Sequence, residues 1–252
     1  MKPASDMNWP QGFVIYDETD LRARQLVIDL FVHGLKQGLT ALNRAVRFFQ
    51  IETPMLTPRV ALAGHEATGF DLVKSSFAKH GQAEMYLRPE TTFGTYAAFQ
   101  AMWPMEAERK KQMPIVLWQF GKSFRDEQAR PMNELRFREF YQLEFQLFFS
   151  PDTKADYYTA CVNAAITAVS NLTGDIHREE VAPAELAHYS VRTTDLFVSP
   201  VLMRDPQDAS ATIRGQNIEV AAISERKDFE GAKVIEVSVG LDRLTYLQRI
   251  YQ

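Results

Sequence analysis

Residues 138–149 read Arg-Glu-Phe-Tyr-Gln-Leu-Glu-Phe-Gln-Leu-Phe-Phe. Leu143, Phe145, Leu147 and Phe149 alternate with Gln142, Glu144 and Gln146, the period of a strand with one apolar and one polar face. Upstream, Ile115–Glu127 is rich in β-formers and predicts a second strand. Downstream, Asp152–Leu172 reads as helix. Val234–Val239 then alternates again, Gly240 breaks the pattern, and Leu241–Tyr251 returns to helix. Toward the N-terminus, Asp20–Phe48 carries Leu26, Leu30, Phe31, Leu35, Leu39, Leu42 and Val46 at helical spacing, with Thr19 or Asp20 as its expected cap. Gly34 and Gly38 weaken that helix but admit another backbone close to it. A short extended piece, Phe49–Met55, is halted by Pro54. Strands and helices are mixed without a βαβ rhythm. The expectation is an α+β domain, a largely antiparallel sheet flanked by helices.

At 252 residues the chain can bury a sizeable core, and 46% hydrophobic with 24% charged residues is the composition of an ordinary globular protein. A net charge of −4 gives no global attraction to nucleic acid, so an RNA contact needs a local patch. Arg109-Lys110-Lys111 is the short basic run available, and a solvated face is its simpler explanation. The single cysteine, Cys161, excludes an internal disulfide framework and suits a reducing compartment; a small core residue is its expected role. No apolar run spans a membrane and the N-terminus lacks a signal core, so the expected location is cytoplasmic.

Two constellations carry chemistry. On a strand, Arg125 and Glu127 of Phe124-Arg125-Asp126-Glu127 share a face. With Arg138, Phe140 and Glu144 from the following strand they would surround one pocket. An arginine for a phosphate, a carboxylate for an exocyclic amine and a ring to stack on a base would suit a nucleotide there. A plain salt bridge between Arg125 and Glu127 is the alternative. In Ile235–Arg243, Glu236 and Ser238 share the face opposite Ile235, Val237 and Val239. Gly240 allows a tight junction, and Arg243 falls in the first turn of the next helix, where an anion is welcome. The alternative is a simple strand–glycine–helix turn with a solvated arginine.

These residues resemble the class II aminoacyl-tRNA synthetases. Arg125–Phe140 resembles their motif 2, Gly240–Arg243 motif 3, and helix 20–48 with Gln50-Ile51-Glu52-Thr53-Pro54 motif 1. Tyr86-Leu87-Arg88-Pro89-Glu90-Thr91, Glu185-Leu186-Ala187-His188-Tyr189-Ser190, Glu219-Val220-Ala221-Ala222-Ile223 and Val234-Ile235-Glu236-Val237-Ser238 are similar to blocks of the glycyl type, in the family's order. The resemblance implies a class II fold, with motif 1 at about 20–55, motif 2 at about 115–149 and motif 3 at about 234–252, and a homodimer built on the motif 1 helix.

The resemblance also implies roles. Arg125 would bind the α-phosphate of ATP and steady its developing charge, and Arg243 would hold the γ-phosphate. Glu127 would read the adenine amine, Phe140 would stack on the ring, and Arg138 would join the ATP site. Glu219 would help to place Mg2+. Glu90, Glu144, Glu236 and Ser238 would surround the ammonium group of glycine, whose lack of a side chain makes steric exclusion the means of rejecting alanine. Three converging carboxylates without a cation repel one another, which favours a functional reading of them. His188 and Tyr189 are further candidates for the pocket lining.

The chain also departs from the family. It ends at Gln252 just after the motif 3 helix, so the expectation is a single catalytic domain without the usual anticodon-binding domain. The stretch between Glu66 and Tyr86 is short. His65 stands where tryptophan is usual, Thr92-Phe93 where Ala-Gln is common, and Val237 where proline is usual. Three functions stay open: activation of glycine for the acceptor end of tRNA, glycine ligation to another acceptor such as a carrier protein, and an inactive paralogue serving as a binding or accessory subunit.

Overall fold

Glu139–Phe149, the strand from which the reading began, lies within the central sheet. The structure is a computed structural model and describes residues 1–3, 12–62, 72–75, 84–126, 135–173, 176–198, 202–204, 212–214 and 217–250. In chain order the strands are β1 (Lys2–Pro3), β2 (Val14–Ile15), β3 (Arg47–Gln50), β4 (Leu56–Pro58), β5 (Met85–Leu87), β6 (Ile115–Phe124), β7 (Glu139–Phe149), β8 (Ile176–Glu180), β9 (Ser190–Val198), β10 (Leu202–Arg204), β11 (Thr212–Arg214), β12 (Ile218–Arg226) and β13 (Lys233–Gly240). The helices are α1 (Glu18–Leu42), α2 (Thr92–Met102), α3 (Glu106–Gln112), α4 (Tyr157–Thr173) and α5 (Leu241–Ile250).

A 7-stranded sheet runs in the order β3-β6-β7-β13-β12-β9-β8. Its pairings are antiparallel from β6 to β8. The sheet is thus largely antiparallel as expected, and the β3–β6 pair at its edge is parallel, which makes it mixed. The chain between these two strands passes through α2 and α3, the long crossover that parallel pairing requires.

β7 is buried on both faces from Gln142 onward. Its apolar face, Leu143, Phe145 and Leu147, packs in one core with Phe31, Leu35 and Leu39 of α1 and Cys161 of α4. Burying each such side chain is worth about 1.5–3 kcal/mol. The opposite face is polar at Gln142, Glu144 and Gln146 and becomes apolar at Phe148, which stacks on Phe99 of α2 at 4.0 Å.

α1 starts two residues earlier than Asp20 and stops at Leu42, so Phe48 belongs to β3. Asp17 is the cap: its carboxylate accepts from the Asp20 N–H and that of Asp20 accepts from the Asp17 N–H, each at 3.0 Å. At the other end Asn43 turns the chain away, donating to the Tyr157 hydroxyl at 2.7 Å and accepting from the Ala45 N–H at 2.9 Å. The buried stripe is Val27, Ile28, Phe31, Leu35 and Leu39, while Leu26 and Leu42 stay exposed. A Cβ on Gly38 would lie 3.2 Å from the Ala164 Cβ, so the glycines do admit α4. That helix begins at Tyr157 rather than 152, after Asp156 accepts from the backbone and hydroxyl of Thr159. Among the described residues, no helix is long and apolar enough to cross a membrane.

Candidate functional site

Register decides which side chains meet on the polar face. Ser238 of β13 lies opposite Glu144 of β7 and Ala222 of β12, and Ala222 lies opposite Asp195 of β9. One row on, Glu236 sits between Gln146 and Ser224, with Thr193 beyond. Cross-strand partners share a face, so these groups converge. Over them opens a cavity of about 380 Å³, lined among others by Glu90, Arg125, Phe140, Glu219, Glu236, Ser238 and Arg243.

One side of the cavity is cationic and aromatic. Arg125 lies just past the end of β6 rather than inside it, its Nε donating to the Pro89 carbonyl at 3.2 Å and its guanidinium 5.2 Å from the Phe140 ring centre. Arg243, in the first turn of α5, donates to the Glu219 carbonyl at 2.7 Å and lies 3.8 Å from the Glu219 carboxylate. Glu219 stands at a bulge in the β12–β9 pairing, and Asp195 is on the same wall. Burial, then the charges of Glu219, Glu179 and Glu180, push Asp195 up to about 7. Arg138 is outside the lining and pairs with Asp126 at 3.0 Å. Glu127 and His65 lie outside the described residues.

The other side is a buried polar network. Glu144 sits below the cavity floor, where its Oε2 accepts from the Thr91 hydroxyl at 2.5 Å. Burial first, then the charges of Glu236 and Glu90, raise its carboxyl to about 8. Glu236 accepts from the Thr92 hydroxyl at 2.7 Å, from Arg226 at 2.8 Å and from Gln146. Thr92, where the family pattern commonly has alanine, thus joins two of the carboxylate-bearing elements. The turn carrying Glu90, Thr91 and Thr92 is fastened by Arg88, which donates to the Thr53 carbonyl at 3.0 Å and the Lys122 carbonyl at 2.8 Å.

Asp195 and Asp242 of the cavity lining are residues that sequence reasoning missed, and so is Arg226. Its fully buried guanidinium lies 2.8 Å from Glu236, 3.6 Å from Glu90 and 2.6 Å from Asp228. It also stacks 3.9 Å from the centre of the Tyr189 ring, which lines the cavity. Burial alone would lower its pKa, but Glu236 and Glu90 overcome that and hold it firmly protonated. The carboxylates therefore converge on a cation of the chain's own, which overturns the premise that they lack one. The available signal was the period of two through Val220, Ala222, Ser224 and Arg226, hidden by an apolar run on both faces of β12.

The remaining candidates take simpler places. His188 is exposed, its ring edge-on to Tyr189 at 5.1 Å. Cys161 is buried in the core, its thiol pushed up to about 12 by burial. Arg109 donates to the carbonyls of Trp103 and Pro104, and Lys110 pairs with Glu106 along the exposed face of α3. Among the described residues, no group of three or more His, Cys, Asp or Glu is arranged to hold a metal ion by itself.

Residues 74–233 match the family model described as the tRNA synthetase class II core domain (G, H, P, S and T). The chain belongs to this class II synthetase core family. The core is 30% identical over 176 residues to a glycine–tRNA ligase of Lachnospira eligens, covering 64% of the chain and 37% of that relative. It is 30% identical over 174 residues to the glycine–tRNA ligase of Mycoplasma capricolum, covering 64% and 38%. The match to the Mesoplasma florum glycine–tRNA ligase is 34% over 121 residues, 45% of the chain and 26% of the relative. The chain thus matches well under half the length of these relatives. In three dimensions the synthetase core resembles a prolyl-tRNA synthetase of Cryptosporidium parvum, solved with halofuginone and AMPPNP. The TM-score is 0.71 at 14% identity, over 95% of this chain and 49% of that one, a likeness of fold.

Proposed function

We propose that this chain activates glycine with ATP, forming glycyl-adenylate, and passes the glycyl group to tRNA. The observation that carries the reading is one cavity with two unlike ends. Arg125, Phe140 and Arg243 suit a nucleotide, and Glu90, Glu236 and Ser238 suit a small ammonium group. The relatives named glycine–tRNA ligase support the same substrates.

At the amino-acid end, Arg226 is shared with Asp228 on its outer side, so Glu90 and Glu236 keep a negative field for an ammonium ion. Glu144 adds little charge while it holds its proton. At the nucleotide end, Phe140 would stack on adenine, Arg125 would meet the α-phosphate, and Arg243 would meet the γ-phosphate. Glu127, in the motif 2 stretch, completes the proposed ATP-binding set. An oxygen of the glycine carboxylate, ionised at neutral pH, attacks the α-phosphorus. The bond to the bridging oxygen breaks, and pyrophosphate leaves with the electron pair. Holding the two substrates in line and offsetting charge at the phosphate supply the acceleration.

Glu219 and Asp195 offer carboxylate oxygens on one wall, a donor set that fits Mg2+ shared with substrate phosphates. Mg2+ bound there would draw negative charge off those phosphates. The assembly we propose is a homodimer: β3 is an edge strand, and Phe49 within it and Met55 just beyond it are 38% and 49% exposed. A cytoplasmic location accords with the buried free thiol of Cys161.

Glycine-dependent exchange of pyrophosphate into ATP tests the reading, with alanine and serine as controls. Exchange is expected with glycine alone, and Arg125→Ala should lower it by about 100-fold or more. Transfer of labelled glycine to tRNA is the second step to measure. A folded protein without exchange for any amino acid would overturn the proposal.

A further inference from the structure

The structure assigns to Asp242 a positioning role: its carboxylate sets the spacing between Phe140 and Arg243 and ties that spacing to the start of α1. The inference rests on the reading of the cavity as a nucleotide site. A nucleotide gripped at its base by one element and at its terminal phosphate by another is held only as well as those elements are held to each other. Phe140 is on β7 and Arg243 is on α5, and the next residue of one and the preceding residue of the other are joined directly. Asp242 Oδ2 accepts from the Tyr141 N–H at 2.8 Å.

The same oxygen accepts from the Tyr16 hydroxyl, also at 2.8 Å. Tyr16 immediately precedes Asp17, the cap of α1, and is outside the cavity lining. The Tyr16 and Tyr141 rings meet edge-on at 5.7 Å, and the Arg24 guanidinium of α1 lies 4.0 Å from the centre of the Tyr141 ring and 4.9 Å from that of Tyr16. Asp242 is 3% exposed, and its Oδ1, like Arg24 Nη1, is buried without a hydrogen-bond partner among the described residues. Opposite charges in so dry a cluster attract with little screening. A second tie acts at the far end of α5, where Arg249 pairs with Asp20 and lies 4.0 Å from Asp17. Helix α5 is thereby fastened at one end to Tyr16, just before the cap of α1, and at the other to the first turn of α1, and a shift of the start of α1 reaches Arg243 through Asp242.

Three substitutions separate this role from general support of the fold. Tyr16→Phe removes one hydrogen bond from outside the cavity. Asp242→Asn keeps an oxygen that can accept from both donors, and Asp242→Ala removes both bonds. ATP binding is measured by calorimetry, KM for ATP and for glycine by pyrophosphate exchange, and folding by the melting temperature. Tyr16→Phe should weaken ATP binding about three- to tenfold and Asp242→Ala by more than about tenfold, with Asp242→Asn recovering most of the loss. KM for glycine should stay within about twofold. Unchanged ATP affinity in the folded Tyr16→Phe protein, a loss in Asp242→Asn as large as in Asp242→Ala, or an equal rise of both KM values overturns the inference while leaving the adenylation reading standing. If Asp242→Ala does not fold, the other two substitutions carry the comparison. A wild-type protein that binds ATP but exchanges no pyrophosphate removes the glycine reading, and calorimetry still decides the role of Asp242. Absence of ATP binding by the wild-type protein overturns both.

Discussion

Glu144 lies under the cavity floor with Glu236 and Glu90 nearby, and its carboxyl is raised to about 8 from an ordinary value near 4.3. The folded state therefore holds a proton that the unfolded chain releases above about pH 4.3. Stability from this group is full below that pH and is lost as pH rises toward 8. Glutamine resembles the protonated acid and still accepts from Thr91. Glu144→Gln should melt about 2–6 °C above the wild type at pH 8.5 and close to it at pH 5. Thermal scans across that range check it, and a pH-independent difference would count against the assigned titration. Arg226 offers a second test. Its guanidinium meets Asp228 through two nitrogens, reaches Glu236 with a third contact and lies over the Tyr189 ring. Lysine keeps the charge but cannot reproduce that planar fork. Arg226→Lys should raise KM for glycine about tenfold or more and change KM for ATP far less, as read from exchange kinetics.

At the level of elements, the turn at 88–92 depends on absent side chains as much as on present ones. A Cβ on Gly94 would stand 2.2 Å from the Thr53 hydroxyl and 2.6 Å from the Thr53 Cβ. Thr53 is itself engaged by Arg88 and Gln119, so it has little room to yield. Gly94→Ala should cost about 1–3 kcal/mol, lowering the melting temperature by several degrees and disturbing Glu90 and Thr92. Retained stability and retained KM for glycine would refute the close fit. Such contacts also mark the limit of what the sequence made legible. β7, β13 and α5 were readable because alternation and a breaking glycine are local signals. β9 and β12 were not, since the apolar run Val220-Ala221-Ala222-Ile223 masks the alternation of β12 and the polar residues of β9 divide between α4 and the cavity. The parallel β3–β6 pairing joins segments separated by two helices, and periodicity carries no information about it. The family resemblance named candidate site residues, of which Arg138 falls outside the cavity lining and Glu144 beneath it, whereas Arg226, Asp195 and Asp242 needed the tertiary arrangement.

Across the whole molecule, both halves of the site stand on one sheet, with β7, β13 and β12 each contributing to the cavity wall. Ligands that bind only the folded state stabilise all of it together, by about 2.7 kcal/mol at a hundredfold excess over Kd. For a chain of this size that corresponds to roughly 5–10 °C. ATP alone and glycine alone should each raise the melting temperature by an amount set by their own affinity. With both present, and pyrophosphatase added to draw off the product, the adenylate would engage the nucleotide and amino-acid ends as a single ligand. Its shift should exceed the sum of the separate shifts, because the second end is then engaged without a further loss of translational freedom. An ATP analogue with a methylene bridge between the α- and β-phosphates cannot form that intermediate with glycine and should give only the sum. Alanine in place of glycine should give the shift of ATP alone, since the amino-acid end is filled by Arg226, Tyr189 and the carboxylates around them. Equal shifts with glycine and alanine would mean that this end of the cavity does not discriminate, and would move its specificity to a different part of the molecule.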